Sequence, residues 1–402
     1  MNRLINFRTI TLSILLLLSV ESIAQTSASG ESNYNPITTA VPFLTITPDS
    51  RHGAMGDAGV ATSPDANAQY WNQSKFAFID EQFGVSLSFT PWLKTMFNDM
   101  NLAYLSGYMK LNSDQAIGAS LRYFSVGEIL LNDQNGTSLA TIRPNEYALD
   151  FSYSRKLSAY FSGGVALRYI RSDLSGGIGS QMYVPGNAFA TDVSFYYRRS
   201  NNDIVNNKTF AAGINISNVG SRLSYDNGSN KEYLPANLKL GATFTDEFNQ
   251  INSFAFSLDF NKLLVPTPSP GTSIGDKPVV TSIFSSLTDA PGGFKEEMQE
   301  INYSLGFEYW YSHKFAARCG YFNENAYKGN RKFFSTGFGV KMNICSVDVS
   351  YLIPINQNNP LANTIRFSLL FDLSRLQKKG KTVVPEEQVA PSAPANQPAP
   401  SK

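Results

Sequence analysis

The sequence predicts an all-β protein, a 14-stranded antiparallel transmembrane β-barrel with an N-terminal plug in its lumen. Three observations carry that expectation. From about residue 83 onward, segment after segment alternates apolar residues with small or polar ones, which gives each strand one apolar face. The segments run to ~9–12 residues, the length of a tilted membrane crossing rather than of a sandwich strand. Long connections also alternate with short ones along the chain, as external loops alternate with periplasmic turns in a barrel. A soluble sandwich alternates too, but it gives no reason for that asymmetry.

Composition removes other classes. Among 402 residues, 33 Lys and Arg meet 32 Asp and Glu, a net charge of +1 without the basic excess that nucleic acid requires. Charged residues make up only 16%, while 28 Phe and 20 Tyr help bring the aromatic share to 13%, unlike a disordered chain.

The chain begins with an export signal. Arg3 and Arg8 precede the apolar run 10–20, and Ser22-Ile23-Ala24 supplies small residues, so 1–24 reads as a signal peptide cleaved between Ala24 and Gln25. The apolar run is too short to span ~30 Å of hydrocarbon, and no later stretch approaches ~20 consecutive apolar residues, which excludes helical spans. Export permits disulfides, but the only cysteines, Cys319 and Cys345, fall on strands expected not to be neighbours. Free thiols, buried or lipid-facing, are expected.

Residues 25–82 are too many for a simple lead-in and are assigned to the plug. The motif Pro48-Asp-Ser-Arg-His-Gly-Ala-Met-Gly-Asp-Ala-Gly places Gly53, Gly56 and Gly59 three apart. No Gly-Lys-Ser/Thr follows, so a phosphate-cradling loop is set aside. Glycines suit close backbone packing in a confined lumen. Pro48, Asp49, Arg51, Gly53, Met55, Gly56, Asp57, Gly59 and, further on, Asn72 are therefore read as structural plug residues. His52 with Asp49 or Asp57 suggests a hydrolase, but no nucleophile-elbow motif occurs and residues so close in sequence rarely form a triad. Neither His52 nor His313 has companions at metal-ligand spacing, so no catalytic residue, metal or cofactor is expected.

The barrel itself is assigned to 83–375. Its strands are expected near 83–92, 101–111, 115–127, 145–155, 159–171, 188–199, 209–218, 236–245, 252–263, 301–313, 315–323, 332–342, 345–353 and 363–374. Tyr147-Ala-Leu-Asp-Phe-Ser-Tyr153 and Ile301-Asn-Tyr-Ser-Leu-Gly-Phe307 show the alternation most cleanly. Tyr104, Tyr108, Tyr147, Tyr153, Tyr309 and Tyr351 are placed in aromatic girdles at the two interfaces. Inward positions carry Arg122, Asp150, Arg168, Asp192, Arg198, Asp259, Glu308, Asp348 and Arg366. Such mixed charge pairs into networks holding wall and plug together, or lines a path for ions or substrate.

The longest connection, 264–300, holds Pro266, Pro268, Pro270, Pro278 and Pro291 among apolar residues. Proline stiffens an extended segment and lowers the ordering cost of binding. Val280, Ile283, Phe284, Leu287 and Phe294 are accordingly the candidate contacts for a partner or cargo, or else they fold over the barrel mouth and bury one another. After Leu376 the character changes. The tail 376–402, with five prolines in 385–400, is expected to be disordered in the periplasm, where both termini of an even-stranded barrel lie.

The segment Pro48–Asp65 ahead of fourteen strands resembles the PorV (LptO) family of the type IX secretion system, within the FadL-type outer-membrane channel superfamily. The wider superfamily carries Asn-Pro-Ala before its first strand; Asn72-Gln-Ser74 keeps the Asn and loses the Pro. The resemblance implies an outer-membrane protein that is not an enzyme. It would bind the C-terminal signal domain of secreted cargo at the type IX translocon barrel and shuttle it to the surface attachment complex, amid outer-membrane lipid and lipopolysaccharide. Two other readings stay open, a channel for fatty acids or other hydrophobic small molecules and a lipopolysaccharide-modifying enzyme.

Overall fold

A computed structural model describes residues 34–373, apart from 95, 98, 134, 177–183, 202, 204–205, 227, 229, 270–276, 356–360 and 362. The expected signal peptide, 1–24, and tail, 376–402, lie outside the described residues, as does Pro270. The barrel belongs to the unit Asn35–Lys402.

Fourteen antiparallel strands close a barrel. They are β1 (Phe83–Pro91), β2 (Asn101–Lys110), β3 (Gln115–Ser125), β6 (Asn145–Lys156), β7 (Phe161–Asp173), β8 (Gly186–Ser200), β9 (Asn207–Gly220) and β10 (Asn237–Glu247), followed by β11 (Asn252–Leu263), β12 (Asn302–Tyr311), β13 (Phe315–Asn323), β14 (Lys332–Lys341), β15 (Cys345–Pro354) and β16 (Ile365–Asp372). The seam pairs β1 with β16, from Gly84 opposite Asp372 to Phe89 opposite Phe367. Closure leaves no free sheet edge, which is what permits strands to cross a membrane. No helix among the described residues is long and apolar enough to do so.

Period-two alternation sorts the side chains as the sequence predicts. On β6, Phe151 is 65% exposed while its neighbour Asp150 is 1% exposed. The connections sort as well, with 111–114, 157–160, 312–314 and 342–344 at one end. Those between β3 and β6, β11 and β12, and β15 and β16 are long and share the other end. We refer to these as the short-turn and long-loop ends.

Several expectations are corrected. Tyr104 and Tyr108 are not girdle residues; both point inward and are buried. Tyr108 stacks on Phe76 at 5.4 Å between ring centroids, and Tyr104 packs with Tyr70 and Trp71, because the N-terminal segment offers them aromatic partners on the inner side of the wall. Tyr153, Tyr309 and Tyr351 do face outward. The connection after β3 is not plain loop: β4 (Ile129–Asn132) and β5 (Ser138–Ile142) form a separate hairpin within it. β8 and β9 run longer at both ends than their apolar patterns suggest, since pairing continues through polar residues. Cys319 on the outer face of β13 and the half-buried Cys345 are both free.

Candidate functional site

The N-terminal segment lies among the inward-facing side chains of the strands. It contains two single-turn helices, α1 (Ser50–Gly53) and α2 (Ala68–Trp71), and 3-10 stretches at Pro42–Thr45 and Gln73–Phe78. Asp49 caps α1: with the extended backbone an N-cap requires, its Oδ2 accepts the His52 backbone N–H at 3.1 Å. The same carboxylate meets His52 Nδ1 at 2.7 Å, while Oδ1 accepts the Trp71 indole N–H at 2.8 Å. Burial pushes the Asp49 carboxyl up, but the charge and hydrogen bonds of His52 and the indole outweigh it and hold the group at about 2.

The other ring nitrogen, His52 Nε2, meets Thr62 Oγ1 at 2.9 Å. Asp49, His52 and Thr62 thus form an acid–imidazole–hydroxyl chain that looks catalytic. Its surroundings enclose and occupy it. All three are buried, and the Thr62 hydroxyl is already committed, donating to the Gly59 carbonyl at 3.1 Å and accepting from Lys75 Nζ at 3.0 Å. Burial brings the Lys75 ammonium down to about 8, and its other hydrogen bond, 2.8 Å long, also ends on the Gly59 carbonyl. Asp57 does not join this chain; its nearest cation is Arg366, at 4.0 Å, and burial raises its carboxyl.

Arg51 ties the segment to the wall. Its Nε and Nη2 donate to the two oxygens of Glu308 at 2.9 and 2.7 Å, and Nη1 donates to Asp65 at 2.9 Å. From β13, Arg318 donates to Glu308 at 2.6 Å and to Asp348 at 2.5 Å. A second wall network joins Arg168 to Asp150, Asp192 and Asn218. Asp259 instead receives the backbone N–H groups of Gly59 and Val60 at 2.7 and 2.9 Å. The inward charges are therefore mostly paired, as one of the two sequence readings requires.

The motif glycines sit where backbone meets backbone or ring. Gly56 has φ +67°, and an added Cβ would lie 2.5 Å from the Tyr321 amide nitrogen; a Cβ on Gly59 would lie 2.2 Å from the Trp71 ring. Met55 is buried against Gly306 and Gly320, Gly53 abuts Arg366, and Pro48 is buried. Asn72 accepts the Ser74 N–H at 3.1 Å and donates to the carbonyls of Val60 at 3.1 Å and Phe195 at 3.0 Å. Thr62, Asp65, Trp71 and Lys75 are missed by sequence reasoning. A lone Thr or Lys carries no spacing signal.

At the long-loop end, the 264–301 connection is not simply extended. It carries α3 (Val279–Ser285) and α4 (Phe294–Gln299). Glutamates on and beside α4 clamp it to the barrel. Lys262 reaches Glu297 at 2.9 Å and Glu300 at 2.5 Å, and Lys328 reaches Glu296 at 2.5 Å and Glu300 at 3.0 Å. Hydrogen bonds from the Lys328 ammonium and the Gly292 N–H help hold the Glu296 carboxyl below its usual range against the raising effect of burial. Above the clamp, Val280, Phe284, Leu287 and Phe294 are exposed, Phe284 and Phe294 by 70% and 81%, and Ile283 is half-buried. The two rings do not bury one another.

Comparisons with known proteins meet this geometry. The family model described as "Type IX secretion system protein PorV" matches residues 29–270, more than half of the chain. The chain belongs to the PorV family. Curated proteins yield no match. Among solved structures, this PorV-family chain is similar to the Pseudomonas putida toluene transporter TodX, at 11% identity and a TM-score of 0.46, covering 80% of this chain and 96% of that one. It is also similar to the Ralstonia pickettii toluene transporter TbuX, at 10% identity and 0.42, covering 80% and 97%. A Pseudomonas aeruginosa FadL homologue matches at 14% identity and 0.40, covering 84% of this chain and 99% of that one. Family membership and an outer-membrane barrel fold bring the chain to type IX secretion.

Proposed function

We propose that this PorV-family barrel binds the C-terminal signal domain of secreted cargo at the type IX translocon and carries it to the surface attachment complex. The single observation behind this reading is the helical connection at the long-loop end, where α4 is clamped to the barrel and Phe284 of α3 and Phe294 of α4 are exposed. Exposed aromatic anchors on a held scaffold lose little entropy on binding and supply the burial that dominates interface energy. The long-loop end then faces outward, both termini lie in the periplasm, and lipid and lipopolysaccharide surround the wall. The N-terminal segment acts as a plug, and the protein works without catalysis or cofactor.

A conduit for hydrophobic small molecules has weaker support, since the spaces beside the N-terminal segment are walled by Arg51, Glu308, Arg318 and Asp348 at one end and by Arg122, Arg168 and Lys239 at the other. Deleting the gene tests the proposal. Cargo should accumulate inside the cell with uncleaved C-terminal signals; normal secretion combined with lost growth on long-chain fatty acids would replace the cargo reading with the channel one.

A further inference from the structure

A cavity of about 460 Å³ opens beside Tyr70 and Trp71 toward the long-loop end. Its volume falls within the range of small-molecule sites. Its wall is mixed: Thr38, Thr45, Asn218, Asn237, Asn261 and Asn302 offer polar groups among apolar lining from Ile37, Leu44, Leu263 and Phe322.

Its charges are unevenly matched. Arg168, Lys328 and Arg331 line the cavity, and each has a carboxylate partner: Asp192 at 3.0 Å, Glu300 at 3.0 Å and Glu324 at 2.8 Å. Asp57, also in the lining, stands 4.0 Å from Arg366. Arg122 and Lys239 differ. Among the described residues neither has a carboxylate within ion-pair reach, although they are only 1% and 7% exposed. Arg122 donates from Nη1 to the Leu44 carbonyl at 2.8 Å, and its Nε has no hydrogen-bond partner. Its guanidinium stands 4.7 Å from the Tyr70 ring centroid, and Lys239 Nζ stands 4.4 Å from the same ring and 4.8 Å from Trp71.

Two like charges against one ring repel, and cation–π contacts return less than the desolvation of two buried ions costs. Tyr70 cannot neutralise them. Burial pushes its phenol up to about 12, so it stays protonated and donates to the Thr45 carbonyl at 3.2 Å. An anion entering the cavity would satisfy both cations at once, and the amide and threonine wall offers donors and acceptors for hydroxyl groups.

We propose that this cavity binds a hydrophilic anion, a phosphate or carboxylate borne on a sugar-like body, with the anionic group held between Arg122 and Lys239. Free sugar phosphates and phosphorylated sugar headgroups of glycolipids share this chemistry. Titration calorimetry on the full-length protein in detergent tests it, with glucose 6-phosphate, glucuronate, detergent-dispersed lipid A, glucose and palmitate as probes. Trp71 fluorescence gives a second signal. Glucose 6-phosphate or glucuronate should bind and glucose should not, with affinity falling as salt is raised. Binding of lipid A alone would support the site and assign the headgroup source. Arg122→Gln and Lys239→Gln should each weaken binding roughly tenfold or more, while Lys239→Arg keeps it. Heat-modifiable migration on gels verifies that each variant folds. If a variant does not fold, the salt dependence of the wild-type protein decides. No binding by any anionic probe, equal binding of glucose, preference for palmitate, or affinity indifferent to salt and to both substitutions would overturn the proposal.

Discussion

The motif segment inside the barrel and the helical connection at its long-loop end use the same residue types in opposite ways. Inside, Arg51, His52, Lys75 and Asp49 are buried and every one of them has a polar partner, while Phe76 and Met55 are packed out of reach of solvent. Outside, the charges Lys262, Glu297 and Glu300 lie beneath, and Phe284 and Phe294 are held out. Solvent access explains the inversion. The charges of the motif segment are satisfied by the protein itself, so they become fixed joints; an exposed ring is left unsatisfied, so it becomes a place for something else to bind. The first region should therefore respond to substitution in stability, and the second in association.

The largest effect is expected where a buried joint loses one partner. Glu308→Gln removes the carboxylate that receives both Arg51 and Arg318 and leaves two interior cations short of their partner. Loss of about 3–5 kcal/mol should appear as a lower guanidinium midpoint in detergent. A change near zero would mean that the segment is not held by this joint, and the contrast between the regions would fail. Next comes Gly56→Ala, where φ is +67° and the new Cβ would lie 2.5 Å from the Tyr321 nitrogen. A loss of roughly 1–3 kcal/mol should follow, with faster proteolysis of the N-terminal segment as the local readout.

Much of the barrel is legible in the sequence because each strand repeats the same constraint. Lipid on one side and a polar interior on the other write a period of two into Tyr147–Tyr153, as the exposures of Asp150 and Phe151 bear out. Where the interior is not polar the rule misleads, and Tyr104 and Tyr108 face aromatic residues of the N-terminal segment instead of the membrane. The glycine spacing of the motif revealed tight packing, but not what the glycines pack against, since Gly56 meets Tyr321 and Gly59 meets Trp71 only after the chain has closed on itself. The Asp49–His52 pairing could be suspected from its i,i+3 spacing; Thr62 could not. Likewise, five prolines argued for an extended connection, yet α3 forms between Pro278 and Pro291 and α4 just after Pro291.

A smaller effect within the interior is set by pH. The Asp49 carboxyl is held at about 2 against an unfolded value of 3.8. A folded pKa below the unfolded one means that the stabilisation is complete above about pH 4 and is lost as pH falls through about 2. Its size is roughly 2 kcal/mol. Asp49→Asn should flatten the fall in guanidinium midpoint between those two pH values. An unchanged slope would move the origin of acid sensitivity to other carboxylates and weaken the case that the Asp49–His52–Thr62 chain holds the segment together.

The smallest stability effect, and the sharpest test of the contrast, lies outside. Phe284→Ser with Phe294→Ser removes two exposed rings and no hydrogen bond to the clamp, so the barrel should keep its guanidinium midpoint to within about 0.5 kcal/mol. Co-purification of the translocon barrel and cargo with tagged protein from mildly solubilised membranes should nevertheless be lost. Lys262→Met gives the complementary case. It leaves the rings in place but takes a cation from Glu297 and Glu300, so α4 should exchange its amide hydrogens faster while partner capture weakens only in part. If the double serine variant still captures both partners, exposure of those rings is incidental, and binding has to be sought on the other connections at the same end.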